Sequence, residues 1–207
     1  MCGKFNLISP FQILADEFQL DGEGISMPVG GDFVPGQDIS AIVRNGRNRM
    51  VALRWGLIPP WAKDPSIGRK MFNARSETAS VKPSFREAFV RRRCLVAADG
   101  FYEWQNSKGS KVPWLVRLRS RRPFGLAGLF EQWSSPRDKT IASCAILTIE
   151  ANSLIGRMHP RMPAIIPPEL YSVWLDPQNA DPERLLPLLR PCPAEDMEII
   201  RVAAFPA

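Results

Sequence analysis

The sequence predicts an α+β fold: one domain with a barrel-like, mostly antiparallel β core and a few short flanking helices. Three observations carry this. Strand-like runs recur along the chain: DISAIVR, RMVALRWGLI, RCLVAADGFYEW, PWLVRLRS, FGLAGLFEQW and SCAILTIEA. Helix-like stretches are few and short. Twenty prolines and fourteen glycines punctuate the whole chain, which keeps elements short and favours tight turns. The 207 residues, 45% of them hydrophobic, suffice for one core. No internal repeat or low-complexity linker divides them, so the domain is read as residues 2–207.

The elements follow in order. Pro10 to Phe18 (PFQILADEF) predicts a short amphipathic helix, with Ser9 as N-cap and Pro10 at the first helical position. Pro35-Gly36 marks a turn. The strand runs come next, interrupted by FNARSET (residues 72–78), which reads as a polar loop. SFREAFV (84–90), PELYSVW (168–174) and Asp181 to Leu189 read as helical. Cys94 and Cys144 lie in apolar runs and are expected to be small core residues.

Composition narrows the function. No apolar run reaches the roughly 20 residues of a membrane span. Asp16 and Glu17 interrupt the early apolar stretch, so no signal peptide is read there. The cytoplasm, or the nucleoid when bound to DNA, is the expected location. Four cysteines (Cys2, Cys94, Cys144, Cys192) are far apart with no CxxC pair. That argues against a zinc site and against a disulfide framework, and no metal or cofactor is expected. Lys+Arg exceeds Asp+Glu by 27 to 21, for a net charge of +6. The arginines cluster at 44, 47 and 49, at 91–93, and at 117, 119, 121 and 122. Such clusters favour a polyanionic partner. Solvated loops and strand edges account for them equally well, since several alternate along WLVRLRSRR.

Several stretches have chemical content. The chain begins MCGKFN, with a cysteine directly behind the initiator methionine. WGLIPPWAK (55–63) sets two tryptophans around a Pro-Pro. FNARSET holds Asn73, Arg75 and Glu77. DGFYEW (99–104) sets Glu103 among aromatics. HPRMP (159–163) holds the one histidine of the sequence, His159. Singly, each has a plain structural alternative: packing, turn chemistry, or an outward-pointing strand residue.

Met-Cys-Gly, NARSE, GFYEW and HPRMP, in this order, resemble the SOS response-associated peptidase (SRAP) family of abasic-site-processing proteins. The resemblance runs from residue 2 to about residue 175. It implies a single SRAP-like domain, in keeping with the α+β reading. It also implies binding of single-stranded DNA and a covalent thiazolidine crosslink to abasic sites through the N-terminal cysteine. On that resemblance Cys2, Asn73, Glu103 and His159 take the catalytic positions. Lys4, Trp61, Arg75, Thr148 and Arg161 take DNA-contacting positions. The partner implied is single-stranded DNA containing abasic sites, bound by a monomer. The family is also linked to a cysteine-type peptidase activity on its own N-terminus, which the same Cys2, Glu103 and His159 would serve. Removal of Met1 by a host aminopeptidase is sufficient for the crosslinking chemistry.

That chemistry accounts for the opening residues independently. An amine condenses with the ring-opened abasic aldehyde to an imine. A thiol two carbons from the same nitrogen then closes a five-membered ring, and only an N-terminal cysteine offers both groups. Ordinary pKa values of about 7.7–8.0 for the amine and about 8.5 for the thiol leave both partly available near neutral pH. An imine also acidifies the neighbouring sugar proton, so weak lyase activity is expected alongside. Glu103 and His159 suit the proton transfers, and Asn73 suits orientation of Cys2 or of a sugar hydroxyl.

Departures from the family pattern are Lys4, where arginine is common, Ile149, where threonine is common, and the ending MEIIRVAAFPA. The rival readings are a non-covalent single-strand binding module, in which Cys2 is incidental, and a Cys–His peptidase.

Overall fold

Five strands close into a barrel and carry the other elements. The structure is a computed structural model that describes residues 2–21, 28–107, 110–135 and 140–203. The elements are β1 (Phe5–Leu7), α1 (Phe11–Phe18), β2 (Gly31–Phe33), β3 (Asp38–Asn45), β4 (Arg47–Trp55), β5 (Asn73–Arg75), α2 (Ser76–Ala79) and α3 (Arg86–Arg91). Then come β6 (Arg93–Ala98), β7 (Gly100–Ser107), β8 (Ser110–Leu118), β9 (Phe124–Ser134), β10 (Thr140–Glu150), β11 (Arg161–Pro163) and β12 (Ile165–Ile166). The chain ends in α4 (Tyr171–Leu175), α5 (Pro182–Leu185) and β13 (Met197–Arg201).

The order β10–β4–β3–β6–β9 returns to β10, which abolishes free edges within the ring. Every pairing in it is antiparallel except β10–β4. A second sheet, β13–β8–β7–β1–β2, is antiparallel throughout. The mixed α+β class and the mostly antiparallel barrel read from the sequence are thus what the chain forms. Trp55, Trp174, Phe5, Phe18, Phe89, Phe101 and Phe124 fill the core between sheets and helices. Cys94 and Cys144 are fully buried there. Among the described residues no helix is long and apolar enough to cross a membrane, and no group of His, Cys, Asp and Glu is placed to hold a metal.

The structure redraws several boundaries. The first helix begins at Phe11, and Pro10 is its cap, with extended ψ of 156°. Ser9 does not cap it, because Asp99 takes both its polar groups: the hydroxyl donates to Oδ1 (2.5 Å) and the amide to Oδ2 (2.7 Å). Asp99 also ends the run RCLVAADGFYEW as one strand, dividing it into β6 and β7. Gly100 follows, and a Cβ there would lie 2.8 Å from Leu115 Cδ1 and 3.0 Å from Asn6 Oδ1. Its bareness lets β1 and β8 both close on β7. FNARSET is not a loop but strand β5 followed by α2. Its three-residue strand is too short to show an alternation. PELYSVW divides into a 3₁₀ turn (Pro168–Leu170) and α4. Asp181 caps α5 through Glu183 N–H (2.9 Å), and Pro187 lies in the 3₁₀ turn that follows (Leu186–Leu188).

Candidate active site

The N-terminal strand is held in the interior. Phe5 packs against Trp55 and Phe33, with ring centroids 5.2 and 5.4 Å apart, and is fully buried. Burying such a side chain contributes about 2–3 kcal/mol. Phe5 pairs with Phe101, Asn6 with Gly100, and Tyr102 N–H donates to the Lys4 carbonyl (2.9 Å). This pairing leads the chain start along β7, with Cys2 within electrostatic reach of Glu103. Cys2 is fully buried. Met1 and residues 204–207 lie outside the described residues, so the expectations on Met1 removal and on the last four residues are not addressed by the geometry.

Asn73 comes from β5, which lies parallel to β10 with Asn73 opposite Ile146. Its Nδ2 donates to the Cys2 carbonyl at 2.7 Å. Its Oδ1 is buried and has no hydrogen-bond partner in the structure. One end of the amide therefore fixes Cys2, and the other is an acceptor open to a ligand donor.

Glu103 does not point outward. It is 2% exposed, and burial raises its carboxyl above the ordinary range, with the charge of nearby His159 opposing. Glu103 in turn helps push up the Cys2 thiol. Burial is the larger cause, and the two together bring it to about 12. The expectation of a thiol partly ionised near neutral pH is therefore corrected: desolvation keeps it protonated in this form.

His159 is carried by a loop with its own anchor. Asn152 Oδ1 accepts from the Leu154 and Ile155 amides (3.1 and 2.9 Å), and its Nδ2 donates to the Cys192 carbonyl (2.8 Å). The His159 amide donates to the Ile155 carbonyl (3.0 Å), and its Nδ1 accepts from Arg161 N–H (2.9 Å). The same nitrogen also lies 3.0 Å from the Arg161 carbonyl, so Nδ1 is held against the Arg161 backbone.

The remaining assigned positions divide into two kinds. Arg75 is exposed, and Trp61 is 58% exposed. The loop beneath Trp61 is pinned by Trp133 Nε1 donating to the Ala62 carbonyl (2.7 Å). It is pinched where Gly56, at φ 139°, meets Gly68; a Cβ on Gly56 would lie 2.7 Å from the Gly68 oxygen. Lys63, Arg69, Lys70 and Arg75 are exposed along this segment, and none is in an ion pair among the described residues. Lys4, Thr148 and Arg161 differ. Lys4 pairs with Asp32 at 3.1 Å and sits over the Tyr102 ring, and the Tyr102 hydroxyl also donates to Asp32 (2.9 Å). Arg161 forms a fork to Glu77 (2.5 and 2.9 Å) and donates to the Thr148 carbonyl. That fork holds the Glu77 carboxyl below its ordinary range. Thr148 is fully buried, and its hydroxyl bonds the Ala74 carbonyl (3.4 Å). These three brace the site in this structure: Arg161 ties the Asn73 segment to the His159 segment.

The arginine clusters are largely used internally. Arg47 pairs with Asp21, Arg92 with Glu131, Arg117 with Glu198, and Arg122 with Glu17. Arg93 is buried among the carbonyls of Phe89, Trp174, Asp176 and Asn179. Sequence reading missed Asp32, Asn152 and Trp114 as site neighbours. Trp114 faces Glu103 across β7–β8, and its buried Nε1 has no partner in the structure. Only the strand register brings it there.

The profile of the family described as SOS response associated peptidase (SRAP) matches residues 1–205. Abasic site processing protein YoqW of Bacillus subtilis is 44% identical over 210 residues, covering 99% of this chain and 93% of that protein. Abasic site processing protein HMCES of Gallus gallus is 31% identical over 180 residues, covering 75% of this chain and 53% of that longer protein. A crystal structure of a Bordetella bronchiseptica protein superposes with a TM-score of 0.86 at 27% identity, covering 98% of this chain and 100% of that one. One from Bacteroides thetaiotaomicron gives 0.89 at 24%, covering 98% and 92%, and speaks for the fold alone.

Proposed function

The chain belongs to the SRAP family, and from that premise we propose that it binds single-stranded DNA and captures abasic sites as a covalent thiazolidine through Cys2. The observation that carries this reading is the fixing of Cys2. The second residue of the sequence is buried, held by Asn73 at 2.7 Å and placed within electrostatic reach of Glu103. An incidental cysteine needs none of this.

After Met1 is removed, the Cys2 amine attacks C1′ of the ring-opened sugar. The resulting carbinolamine loses water when Glu103, protonated because it is desolvated, gives its proton to the leaving hydroxyl. The Cys2 sulfur then adds to the imine carbon, and its proton passes to the Glu103 carboxylate. Carbon C1′ ends bonded to nitrogen and sulfur, one water has left, and Glu103 is again protonated. His159 donates a ring proton to the sugar oxygen, assisting ring opening and, in reverse, release. The same imine permits slow β-elimination, hence weak lyase activity. Asn73 Oδ1 accepts from the amine or a sugar hydroxyl. Arg75, Lys63, Arg69 and Lys70 supply phosphate contacts, and Trp61 a stacking face. Peptidase activity is secondary, since no step above requires it.

The test is Cys2→Ala. It is expected to abolish the denaturation-resistant adduct with abasic single-stranded DNA while leaving non-covalent affinity within about twofold. Equal loss of both would favour the plain binding module.

A further inference from the structure

Glu103 stands at one end of a row that leads out of the site. It pairs directly with Trp114 of β8, and Trp114 pairs on its other side with Arg201 of β13. Directly opposed residues of neighbouring strands share one face of a sheet. Glu103, Trp114 and Arg201 therefore lie on the same face, across three strands spaced about 5 Å apart. Exposure rises along the row: Glu103 is 2% exposed, Trp114 is half-buried and Arg201 is exposed. The row thus runs from the floor of the site to its mouth. A second connection reaches the same strand. Asn152, which anchors the His159 loop, also donates from Nδ2 to Met197 Sδ (3.2 Å). Met197 begins β13 and shares the face of Arg201.

This face differs in charge from its reverse. On the reverse, Arg117 and Glu198 oppose one another across β8–β13 and pair at 2.7 Å. On the Glu103 face of β7, β8 and β13 the one carboxyl is Glu103 itself, whose charged form burial disfavours. Arg201 is in no ion pair among the described residues. Trp114 Nε1 is buried without a partner. An aromatic side chain therefore lies beside a guanidinium that no carboxylate neutralises, the two kinds of group that single-strand grooves combine.

We propose that the nucleic-acid strand leaves the site along this face, past Trp114, with Arg201 as a phosphate contact. This contact presupposes the single-strand reading above and adds a second flank to it. Arg75 belongs to β5, which joins the site through Asn73, whereas Arg201 joins it through Glu103 and Trp114. Glu103 and Arg201 are two strand spacings apart, about 10 Å, so the phosphate is that of a neighbouring nucleotide and not of the sugar held at Cys2.

The experiment uses the full chain and a fluorescein-labelled single strand with one central tetrahydrofuran site, which lacks the aldehyde and so reports binding alone. A companion set replaces one phosphate at a time by an uncharged methylphosphonate. Arg201→Ala is expected to lower the slope of log affinity against log salt by about 0.7, and Arg201→Lys to restore it. In the parent, one replacement on one flank should weaken binding by about threefold or more; in Arg201→Ala that same replacement should cost nothing further. Arg201 is exposed, so the substitution leaves the core intact. An unchanged slope, or the same penalty for every replacement in variant and parent, overturns the proposal. An unchanged slope with a lowered melting temperature would make Arg201 a structural residue of the sheet edge, and overturns it likewise. A strand with a true abasic site separates this contact from the capture chemistry. No denaturation-resistant adduct, with the Arg201 effects present, removes thiazolidine capture and leaves the contact standing. An adduct without the Arg201 effects removes the contact alone, and a parent that binds no single strand removes both.

Discussion

Replacing Asn73 by alanine isolates positioning from binding. The Asn73 amide makes a 2.7 Å bond to the Cys2 carbonyl, and Cys2 is fully buried. Without that donor the carbonyl is left without its side-chain partner in a dry setting, at about 1–3 kcal/mol. The N-terminal strand stays docked, because Phe5 and the Tyr102-to-Lys4 backbone bond remain. What is lost is the fraction of molecules with Cys2 correctly placed. At about 1.4 kcal/mol per factor of ten, crosslinking should slow about 5- to 150-fold. Affinity for single-stranded DNA should stay within about twofold, since Asn73 carries no charge for a phosphate. The shape of the rate–pH profile should be unchanged, since Asn73 does not titrate. The assay is a single-turnover time course on abasic single-stranded DNA, quenched in denaturant and resolved on a gel, beside anisotropy on the same oligonucleotide. An unchanged rate, or an affinity loss matching the rate loss, would refute the role.

Glu103→Gln should slow crosslinking and remove the alkaline-side limb of its pH profile, because the mechanism draws on the protonated carboxyl. It should also stabilise the fold: burial raises the folded-state pKa of Glu103, so its carboxyl favours folding at low pH and loses that contribution as pH rises through the raised value. The variant should therefore melt above the parent at pH 7–8, with the gap narrowing toward pH 4; a constant gap would contradict this. Arg75→Ala should reduce the slope of log affinity against log salt by about 0.7, one phosphate's worth on a single strand. An unchanged slope removes Arg75 from the phosphate contacts. The Cys2 thiol, pushed up to about 12, should be alkylated by iodoacetamide at pH 7.5 at least 100-fold more slowly than in the denatured chain. Comparable rates would show a thiol more ionised than the structure implies.

What the sequence revealed tracks how local each signal is. The strands of the barrel were legible because their apolar runs are long, and FGLAGLFEQW and DISAIVR correspond almost residue for residue to β9 and β3. Short β5 was not legible: three residues hold no period, and its place is set by pairing with β10. Ser9 looked like a cap because its competitor, Asp99, lies 90 residues away in sequence. The same distance hid the brace at the site. Arg161 and Glu77 are 84 residues apart and Lys4 and Asp32 are 28 apart, so sequence alone left both cations free for phosphate. Cys2, Asn73, Glu103 and His159 were named from the motifs, but the burial of Cys2 and Glu103 belongs to the folded core.

That desolvation bears on why a nucleophile should be buried at all. Burial pushes the Cys2 thiol up, so far less of it is thiolate at pH 7 than in an exposed cysteine. In an enzyme that begins with sulfur attack this would be crippling. On the proposed mechanism sulfur acts second. The amine of the same residue first brings C1′ to it, and ring closure is then intramolecular, where effective molarities are large. Burial raises the Glu103 carboxyl as well as the thiol. The proton that must leave sulfur therefore meets a stronger base than an ordinary carboxylate. Oxidants and disulfides, which need a thiolate at the outset, meet a neutral and enclosed sulfur. An aldehyde taken up by the amine supplies the electrophile from inside the site. On the proposed mechanism, selectivity for an abasic sugar arises from the order of the two bonds, with Cys2 buried and held by Asn73.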